Sequence, residues 1–405
     1  MTLSAIPART DAAVSDAPPR VRPEFLLFAP PSIGEEEIAE VVETLRSGWI
    51  TTGPKTQRFE EEFRARVGAE AAIALNSCTA GLHVALAALG IGPGDEVITT
   101  TLTFTACANV IEHVGARTVL VDVEPDTLNI DPRAIEAAIT RRTRAIIVVH
   151  YAGHPAALDE IRELARWRQI AVIEDAAHAL PAAYKGRMIG SEEYPVAFSF
   201  YATKNLTTGE GGMLTGTPDF IDHARVLSLH GMSRDAWRRY AKGGSWRYDV
   251  VEAGFKYNMP DLQAGIGLAQ LRKLGDFQRR RREVVQAYRD AFAPCDALEL
   301  PVERPEVQHA WHLYVLRLRL ETLRIDRDAV LQELSARNIG TSVHFIPIHL
   351  HPYYRDRYRY DPTRFPVAGD AFERMLSLPL HPGLTDADVG CVTEAVVDII
   401  SRFRR

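Results

Sequence analysis

The chain has 405 residues, of which 46% are hydrophobic and 25% charged, and its formal net charge is −6. Because this length exceeds what one small core organises, we expect two domains that share an interface. The composition is that of a globular protein. The acidic balance disfavours nucleic acid as a partner, because nucleic-acid-binding proteins show a basic excess.

The four cysteines indicate a reducing compartment. Cys78, Cys107, Cys295 and Cys391 are far apart and form no CxxC pair, which disfavours disulfides and zinc. No apolar run approaches the roughly 20 residues of a membrane span. Residues 1–24 are rich in Ala, Pro and Arg and predict a disordered tail, not a signal peptide. We expect a cytoplasmic protein with no membrane partner.

The first half of the chain alternates strand and helix patterns. Short apolar runs predict strands at 71–76, 96–100, 118–123, 145–150, 170–174, 196–201 and 212–215. Helical patterns lie between the early runs, at 80–89, 105–113, 132–139 and 158–168. This alternation predicts an α/β fold with a mainly parallel seven-stranded sheet and helices on both faces.

The second half loses that rhythm and predicts a smaller C-terminal α+β domain. Residues 230–258, rich in Gly, Trp, Tyr and Arg, predict an ordered excursion, and a long helical pattern follows over 259–298. Strands are then expected at 311–320 and 341–345, and helices at 327–336 and 386–402. The expected organisation is a tail at 1–24, a large domain at 25–260 that includes the excursion 230–258, and a small domain at 261–405.

A lysine and an aspartate follow two of the predicted strands. Lys204 lies just past the run 196–201, and Asp175 directly follows the run 170–174. Each residue alone is weak evidence for a functional site, since most lysines are solvated and most aspartates that follow strands are turn or cap residues. Both fall where parallel sheets bind ligands, beyond the carboxyl ends of the strands. The pair could hold pyridoxal 5'-phosphate and indicates amine chemistry.

The two residues would have different tasks. Lys204 would form the imine with the cofactor and, once displaced, shuttle a proton as a free amine. That second task requires a lowered pKa, which burial beside other cations provides. Asp175 would keep the ring nitrogen protonated, and the protonated ring serves as an electron sink.

Two further features could complete a cofactor site. Residues 77–81 lie where a strand turns into a helix, so their amides could bind a phosphate, although a plain N-cap uses the same amides. Phe104 could stack on the cofactor ring, although an aromatic residue at such a position is more commonly part of the core.

Five collinear segments together resemble one enzyme family. They are 48–55, 76–81, 174–178, 199–212 and 254–258. In this order they are similar to the nucleotide-sugar aminotransferases of the DegT/DnrJ/StrS family, which are fold-type I pyridoxal-phosphate enzymes. The similarity runs from about residue 25 to the C-terminus, and five ordered motifs are far more specific than one.

The resemblance implies roles for individual residues. Lys204 would be the imine lysine, Asp175 the partner of the pyridine nitrogen, and His178 the contact of the phenolic oxygen. The remaining implied positions are Thr79, Ala80 and Ser199 for the phosphate, Asn258 for the phosphate of a neighbouring subunit, and His344, Tyr257 and Trp49 for the substrate. A homodimer with shared active sites is therefore expected, with 230–258 as the arm that crosses to the partner.

The resemblance also implies the reaction. An amino group would pass from L-glutamate, leaving 2-oxoglutarate, through pyridoxamine 5'-phosphate as intermediate, to a 4-keto sugar on UDP or dTDP. Segments 186–190 and 340–345 are similar to the 4-amino-arabinose branch, although Ile346 replaces an arginine usual there. Three alternatives stay open: a sugar dehydratase or lyase, a cyclitol-ketone aminotransferase, and a non-catalytic regulatory homologue.

Two clusters of histidine or arginine lie outside these five segments. His344, His349 and His351 are close in sequence, but no cysteine or paired carboxylate completes a ligand set, so no metal is expected. The basic run 279–282 fits a solvated face or salt bridges, and the other interpretation is a contact with a nucleotide diphosphate.

Overall fold

A computed structural model describes residues 21–233 and 248–405. The predicted tail through residue 20 and the middle of the predicted arm, residues 234–247, lie outside the described residues. The strands are β1 (Ala71–Leu75), β2 (Glu96–Thr100), β3 (Arg117–Val121), β4 (Thr143–Val149), β5 (Ala171–Asp175), β6 (Ala183–Tyr184), β7 (Arg187–Met188), β8 (Val196–Ser199), β9 (Gly212–Gly216), β10 (Leu298–Glu299), β11 (Val307–Gln308), β12 (Tyr314–Leu318) and β13 (Met375–Leu378). The helices are α1 (Glu35–Ser47), α2 (Pro54–Val67), α3 (Cys78–Ala88), α4 (Ala106–His113), α5 (Pro132–Ala138), α6 (Leu158–Arg168), α7 (Pro218–Ser228), α8 (Asp261–Phe292), α9 (Arg327–Ala336), α10 (Pro352–Tyr358), α11 (Pro366–Arg374) and α12 (Asp386–Arg402).

The central sheet has seven strands in the order β1-β9-β8-β5-β4-β2-β3. Strand β9 runs antiparallel to both of its neighbours, and the other pairings are parallel. The predicted mainly parallel α/β sheet is confirmed. Strands β2 and β9 are buried along their whole length, as expected for inner strands of a sheet that helices cover on both faces.

Helices α1 and α2 precede the sheet and were not predicted from the sequence. They end at Gly48 and Gly68, whose φ values of +75° and +77° are left-handed. Glycine adopts that conformation without the steric cost other residues incur, so it terminates a helix readily. The loop between these two helices, residues 48–53, is part of the first family-like motif.

The C-terminal region contains a second core around the antiparallel sheet β10-β12-β13. Helices α8, α9 and α12 cover it, and Tyr288, Phe292 and Tyr314 are buried together. The predicted strand at 311–320 and the helices at 327–336 and 386–402 are confirmed as β12, α9 and α12.

The predicted strand at 341–345 is wrong. In that segment only Ser342 pairs, through one isolated bridge to Ser377, and the third strand of the small sheet is β13 instead. The segment leaves the sheet because the hydroxyl of Tyr151 in the large domain donates a hydrogen bond to the carbonyl of His344. Its alternating apolar residues therefore pack between the two cores and form no strand ladder.

Helix α8 connects the two cores without interruption. Its first half packs against α1 and α2, and its second half contacts α12. The carboxylate of Asp261, its first residue, accepts hydrogen bonds from the amides of Gly53 and Thr56 at 2.8 and 2.9 Å. This buried carboxylate therefore caps α2 from another helix. The domain boundary at 260/261 stays a prediction, since α8 belongs to both cores.

None of the helices in residues 21–233 and 248–405 is long and apolar enough to cross a membrane.

Candidate active site

Strand β5 ends in two carboxylates that lie on opposite faces of the sheet, because side chains alternate along a strand. Glu174 is fully buried and accepts from His150 at 3.0 Å and Arg162 at 2.7 Å. Burial raises the pKa of Glu174, but the hydrogen bonds and charges of His150 and Arg162 outweigh it and lower the pKa overall. This buried network fixes the end of β5, and with it the neighbouring Asp175.

Asp175 lies at the carboxyl edge of the sheet, as predicted, and is held by an amide and two thiols. Its carboxylate accepts from the Ala177 amide at 2.9 Å and from Cys107 Sγ at 2.9 Å. Cys78 Sγ approaches the other oxygen at 3.7 Å. Burial, and then the charge of Asp175, raise the pKa of both thiols, so they stay neutral donors. The sequence showed only four scattered cysteines and gave no sign of this role.

Lys204 lies in the turn that follows β8. Its side chain is partly accessible, and its amine is deep enough for burial to lower its pKa from 10.5 to about 8. The charges of Asp175 and then Cys78 oppose that shift. The amine and the carboxylate are therefore close enough to interact, and about a tenth of the amine is neutral near pH 7, far more than at the ordinary pKa of 10.5.

Three histidines surround the Lys204 amine. His178 and His344 were predicted to be in the site, whereas His312 was missed. His312 Nε2 is 3.5 Å from Lys204 Nζ, and the His312 ring lies 4.4 Å from that of His178 between centroids. His344 Nδ1 bonds Ser377 Oγ at 2.9 Å. Burial and then the charge of Lys204 lower the pKa of His344 to about 4 and hold that of His178 well below its usual value.

Helix α3 begins beside this cluster, at the position where the sequence predicts a phosphate cradle. Ser77 is its N-cap and accepts from the Ala80 amide at 3.0 Å. The amides of Cys78 and Thr79 have no partner within the helix, because a helix leaves its first amides free. The N-cap and cradle interpretations are thus compatible, since one amide is capped while others stay available.

Strand β9 supports the start of α3 directly. Ser199 pairs with Gly212 across β8 and β9, which places the Ser199 position beside the cradle. A Cβ at Gly212 would lie 2.5 to 2.6 Å from backbone atoms of Ser77 and Cys78. Only glycine allows that approach, which explains a glycine of the segment after Lys204 in physical terms.

Phe104 follows β2 and is 60% exposed, so the core interpretation of this residue is wrong. Its ring lies 5.9 Å from that of Phe345, and Phe345 in turn stacks 5.8 Å from His178. An aromatic path thus leads from Phe104 into the site. The proposed stacking of Phe104 on a cofactor stays a prediction.

A second group of predicted residues gathers at the end of β1. Asn258 bridges to Leu75 and donates to Thr52 Oγ1 at 2.6 Å. Tyr257 bonds His83 at 3.0 Å through its hydroxyl, and Trp49 donates from its indole to the Thr52 carbonyl at 3.0 Å. None of these contacts joins the group to Lys204. Their roles toward substrate or a partner subunit stay predictions.

The histidines of the cluster 344–351 have structural hydrogen-bond partners. His344 bonds Ser377, and His349 bonds Thr101 at 2.7 Å, so these histidines have separate partners. Across the described ranges, no group of three or more His, Cys, Asp or Glu side chains is placed to hold a metal ion.

Three residues of the basic run 279–282 differ in their surroundings. Arg279 bonds the exposed Asp276 at 2.7 Å, and Arg280 bonds Asp386 at 2.7 Å. Arg281 is buried and donates to the carbonyl of Leu380 at 2.7 Å. The salt-bridge interpretation describes Arg279 and Arg280, while Arg281 is an interior residue that sequence reasoning missed.

The sheet topology, together with a lysine and an aspartate beyond its carboxyl edge, defines the aminotransferase class of fold. A sequence model of the DegT/DnrJ/EryC1/StrS aminotransferase family matches residues 31–397. The chain belongs to this family, and the resemblance drawn from five motifs is confirmed.

Individual relatives agree with this assignment. The chain is 52% identical to the spore coat polysaccharide biosynthesis protein SpsC of Bacillus subtilis, covering 94% of this chain and 98% of SpsC. It is also 52% identical to the uncharacterized protein MJ1066 of Methanocaldococcus jannaschii, over 95% of this chain and all of MJ1066. The PLP form of the putative sugar aminotransferase Spr1654 from Streptococcus pneumoniae superimposes with a TM-score of 0.85 at 37% identity, covering 92% of this chain and 98% of Spr1654. A PMP form of Spr1654 superimposes with a TM-score of 0.86.

Proposed function

We propose that this protein uses pyridoxal 5'-phosphate to transfer an amino group from L-glutamate to a 4-keto sugar carried on UDP or dTDP. The observation that carries the proposal is the Lys204 amine with its lowered pKa, interacting with Asp175 beyond the ends of parallel strands. Membership of an aminotransferase family and similarity to a putative sugar aminotransferase support it.

The residues of the site fit this cofactor. His178 Nδ1 is buried and has no hydrogen-bond partner within the described part of the chain, as expected of a group that would bind the cofactor's phenolic oxygen. The first amides of α3, with Thr79 and Ala80, suit a phosphate. Asp175 suits a protonated ring nitrogen, and Lys204 suits covalent attachment. When bound, the cofactor supplies an electron sink for amine chemistry.

The protein's own side chains supply the attachment point and the proton transfer. The neutral amine of Lys204 would be the point of covalent attachment for the cofactor and would be freed when the amino donor takes its place. The freed Lys204 Nζ would then take a proton from the substrate carbon and pass it to the cofactor. His178 and His344 add no positive charge beside the amine, because burial keeps both neutral. These tasks require a primary amine, and lysine is the residue type whose side chain provides one.

A homodimer with shared sites is part of the proposal. Large apolar side chains are exposed in pairs at Trp49–Ile50 and Val250–Val251, on the segments that flank Thr52 and Asn258. Adjacent exposed apolar residues favour an interface with a second copy. Asn258 would then reach the cofactor phosphate of the partner. The predicted cytoplasmic location stays a prediction.

The test is a screen of UDP- and dTDP-linked 4-keto sugars with L-glutamate, read by mass spectrometry. The proposal expects an amino sugar nucleotide together with 2-oxoglutarate, and no product from the Lys204→Ala variant. Full turnover by Lys204→Ala would refute the mechanism.

Each alternative has a distinct outcome in the same screen. A deoxy sugar formed without nitrogen transfer would indicate the dehydratase or lyase. Amination of free inosose would indicate the cyclitol enzyme. A colourless preparation that never takes up cofactor would indicate the non-catalytic homologue.

A further inference from the structure

His312 is a buried titratable residue to which neither the sequence motifs nor the steps above assign a task. Its Nε2 lies 3.5 Å from Lys204 Nζ, and its Nδ1 lies 3.2 Å from Asn205 Oδ1. Because a neutral imidazole has one donor and one acceptor nitrogen, the tautomer decides what Lys204 meets.

Asn205 determines that tautomer through two other hydrogen bonds. Its Nδ2 donates to the carbonyls of Leu180 at 2.9 Å and Ala310 at 2.8 Å. Both partners only accept, so the amide nitrogen must face them and the amide oxygen must face His312. The hydrogen-bond network therefore assigns the proton to His312 Nδ1. Nε2 is left with a free lone pair directed at Lys204.

The surroundings of the His312 ring disfavour its protonated form. Burial, followed by the charges of Lys204 and His178, holds the pKa of His312 well below its usual value. The other titratable groups that influence Lys204 or His312 are Asp175 on β5, Cys78 on α3, Arg281 on α8, and His344 in the segment before β13. None of them competes for the Nε2 lone pair through a hydrogen bond in the described structure.

Helix α8 fixes the backbone that carries His312. Buried Arg281 donates from Nη1 to the carbonyl of Trp311 at 3.2 Å and to that of Leu380 at 2.7 Å. Gln278, one turn earlier, donates to the carbonyl of His309 at 3.0 Å. The interior member of the basic run, together with Gln278, therefore holds the segment 309–312 against helix α8.

We propose that His312 is a positioning residue for Lys204: its Nε2 accepts a hydrogen bond from the free Lys204 amine, in the tautomer that Asn205 imposes. The inference rests on the proposed function for its consequence in turnover, but the contact itself exists without cofactor. It holds the amine after the donor has displaced it. An acceptor also favours the ammonium form of Lys204, which opposes the effect of burial.

The test measures how readily the Lys204 amine of the full-length apoprotein reacts with acetic anhydride as pH is varied, read by peptide mass spectrometry. His312→Phe keeps a ring but removes the acceptor, so the half-point of Lys204 should fall by about one pH unit. His312→Gln can place an amide oxygen near the Nε2 position, so its half-point should stay within about 0.3 pH unit of the parent.

Two results overturn the inference. One is an unchanged half-point in His312→Phe, and the other is an equal shift in both variants, which would reflect packing alone. If the phenylalanine variant does not fold, His312→Leu makes the same measurement. The readout involves neither sugar nor cofactor, so it is independent of a failed substrate screen.

Turnover provides the second readout once a substrate is known. His312→Phe should lower kcat about tenfold or more with little change in KM, because only the positioned amine is lost. His312→Gln should recover most of that loss. A change confined to KM would assign His312 to substrate binding and overturn the inference.

Discussion

Replacing Gly212 by alanine would disturb the start of α3 at one defined point. The added Cβ would lie 2.5 Å from the carbonyl carbon of Ser77 and 2.6 Å from the amide nitrogen of Cys78. Carbon atoms in contact normally lie 3.5 to 4 Å apart, so the first turn of α3 must move by about 1 Å. Both atoms belong to backbone, so no side-chain rotation relieves the overlap.

The structure gives the size of the effect. Overpacking of this kind lowers the free energy of unfolding by about 1 to 3 kcal/mol. A shift of the α3 amides by about 1 Å also removes one or more charge-assisted hydrogen bonds to a phosphate, so cofactor affinity should fall about tenfold or more. Gly275→Ala is the matched control: it lies inside α8 with no atom within 4 Å of the new Cβ, and should stabilise by about 0.5 to 1 kcal/mol.

The assays are urea unfolding of the apoprotein at one protein concentration and titration of the apoprotein with pyridoxal phosphate, followed by visible absorbance. If Gly212→Ala binds the cofactor and unfolds like the parent, the proposed role of β9 in supporting the cradle is wrong. If Gly275→Ala weakens cofactor binding to the same degree, the effect is not specific to α3.

Three further changes test other parts of the structure. Asp261→Ala should lower the free energy of unfolding by about 3 to 5 kcal/mol, because it removes a buried carboxylate that accepts several hydrogen bonds. The control is Asp386→Ala, in the exposed first turn of α12, which should change the free energy of unfolding by less than about 1 kcal/mol. Equal urea midpoints for the two variants would contradict the capping role of Asp261. The Lys204 amine of the apoprotein should be half neutral near pH 8, whereas the same amine in the unfolded chain has its ordinary pKa of 10.5. Between about pH 8 and 10.5 the unfolded chain therefore binds more protons than the folded one, and the free energy of unfolding should rise with pH. A free energy of unfolding that does not change over this pH range would refute the lowered pKa of Lys204. Asp175→Asn should move the Lys204 half-point to lower pH, because the negative charge of Asp175 stabilises the ammonium form in the parent; an unchanged half-point in the acetylation profile would show that the two groups do not interact.

Much of the large domain could be predicted because short apolar runs in the sequence mark its strands. Seven apolar runs predicted the seven strands of the central sheet, since strands buried on both faces are near-continuously apolar. Lys204 and Asp175 were found because both follow such runs. The prediction of a strand at 341–345 was wrong because tertiary contacts of Ser342 and His344, and not the local sequence pattern, determine the course of the backbone in this segment.

The site residues that the sequence did not reveal were missed for a different reason. Cys107 contacts Asp175 across 68 residues of sequence, His312 contacts Lys204 across 108, and Asn205 contacts His312 across 107. Short motifs carry no information about such contacts. Arg281 was hidden for a related reason: in a run of four arginines, only the packing of α8 shows which one is interior.

The proposed function depends on covalent attachment of the cofactor at Lys204. Borohydride reduction of the cofactor-loaded protein, followed by peptide mapping, tests this attachment. We expect cofactor mass on the single peptide that contains Lys204, and no trapped cofactor in Lys204→Ala. Cofactor mass on a different lysine, or trapping that persists in the variant, would contradict it.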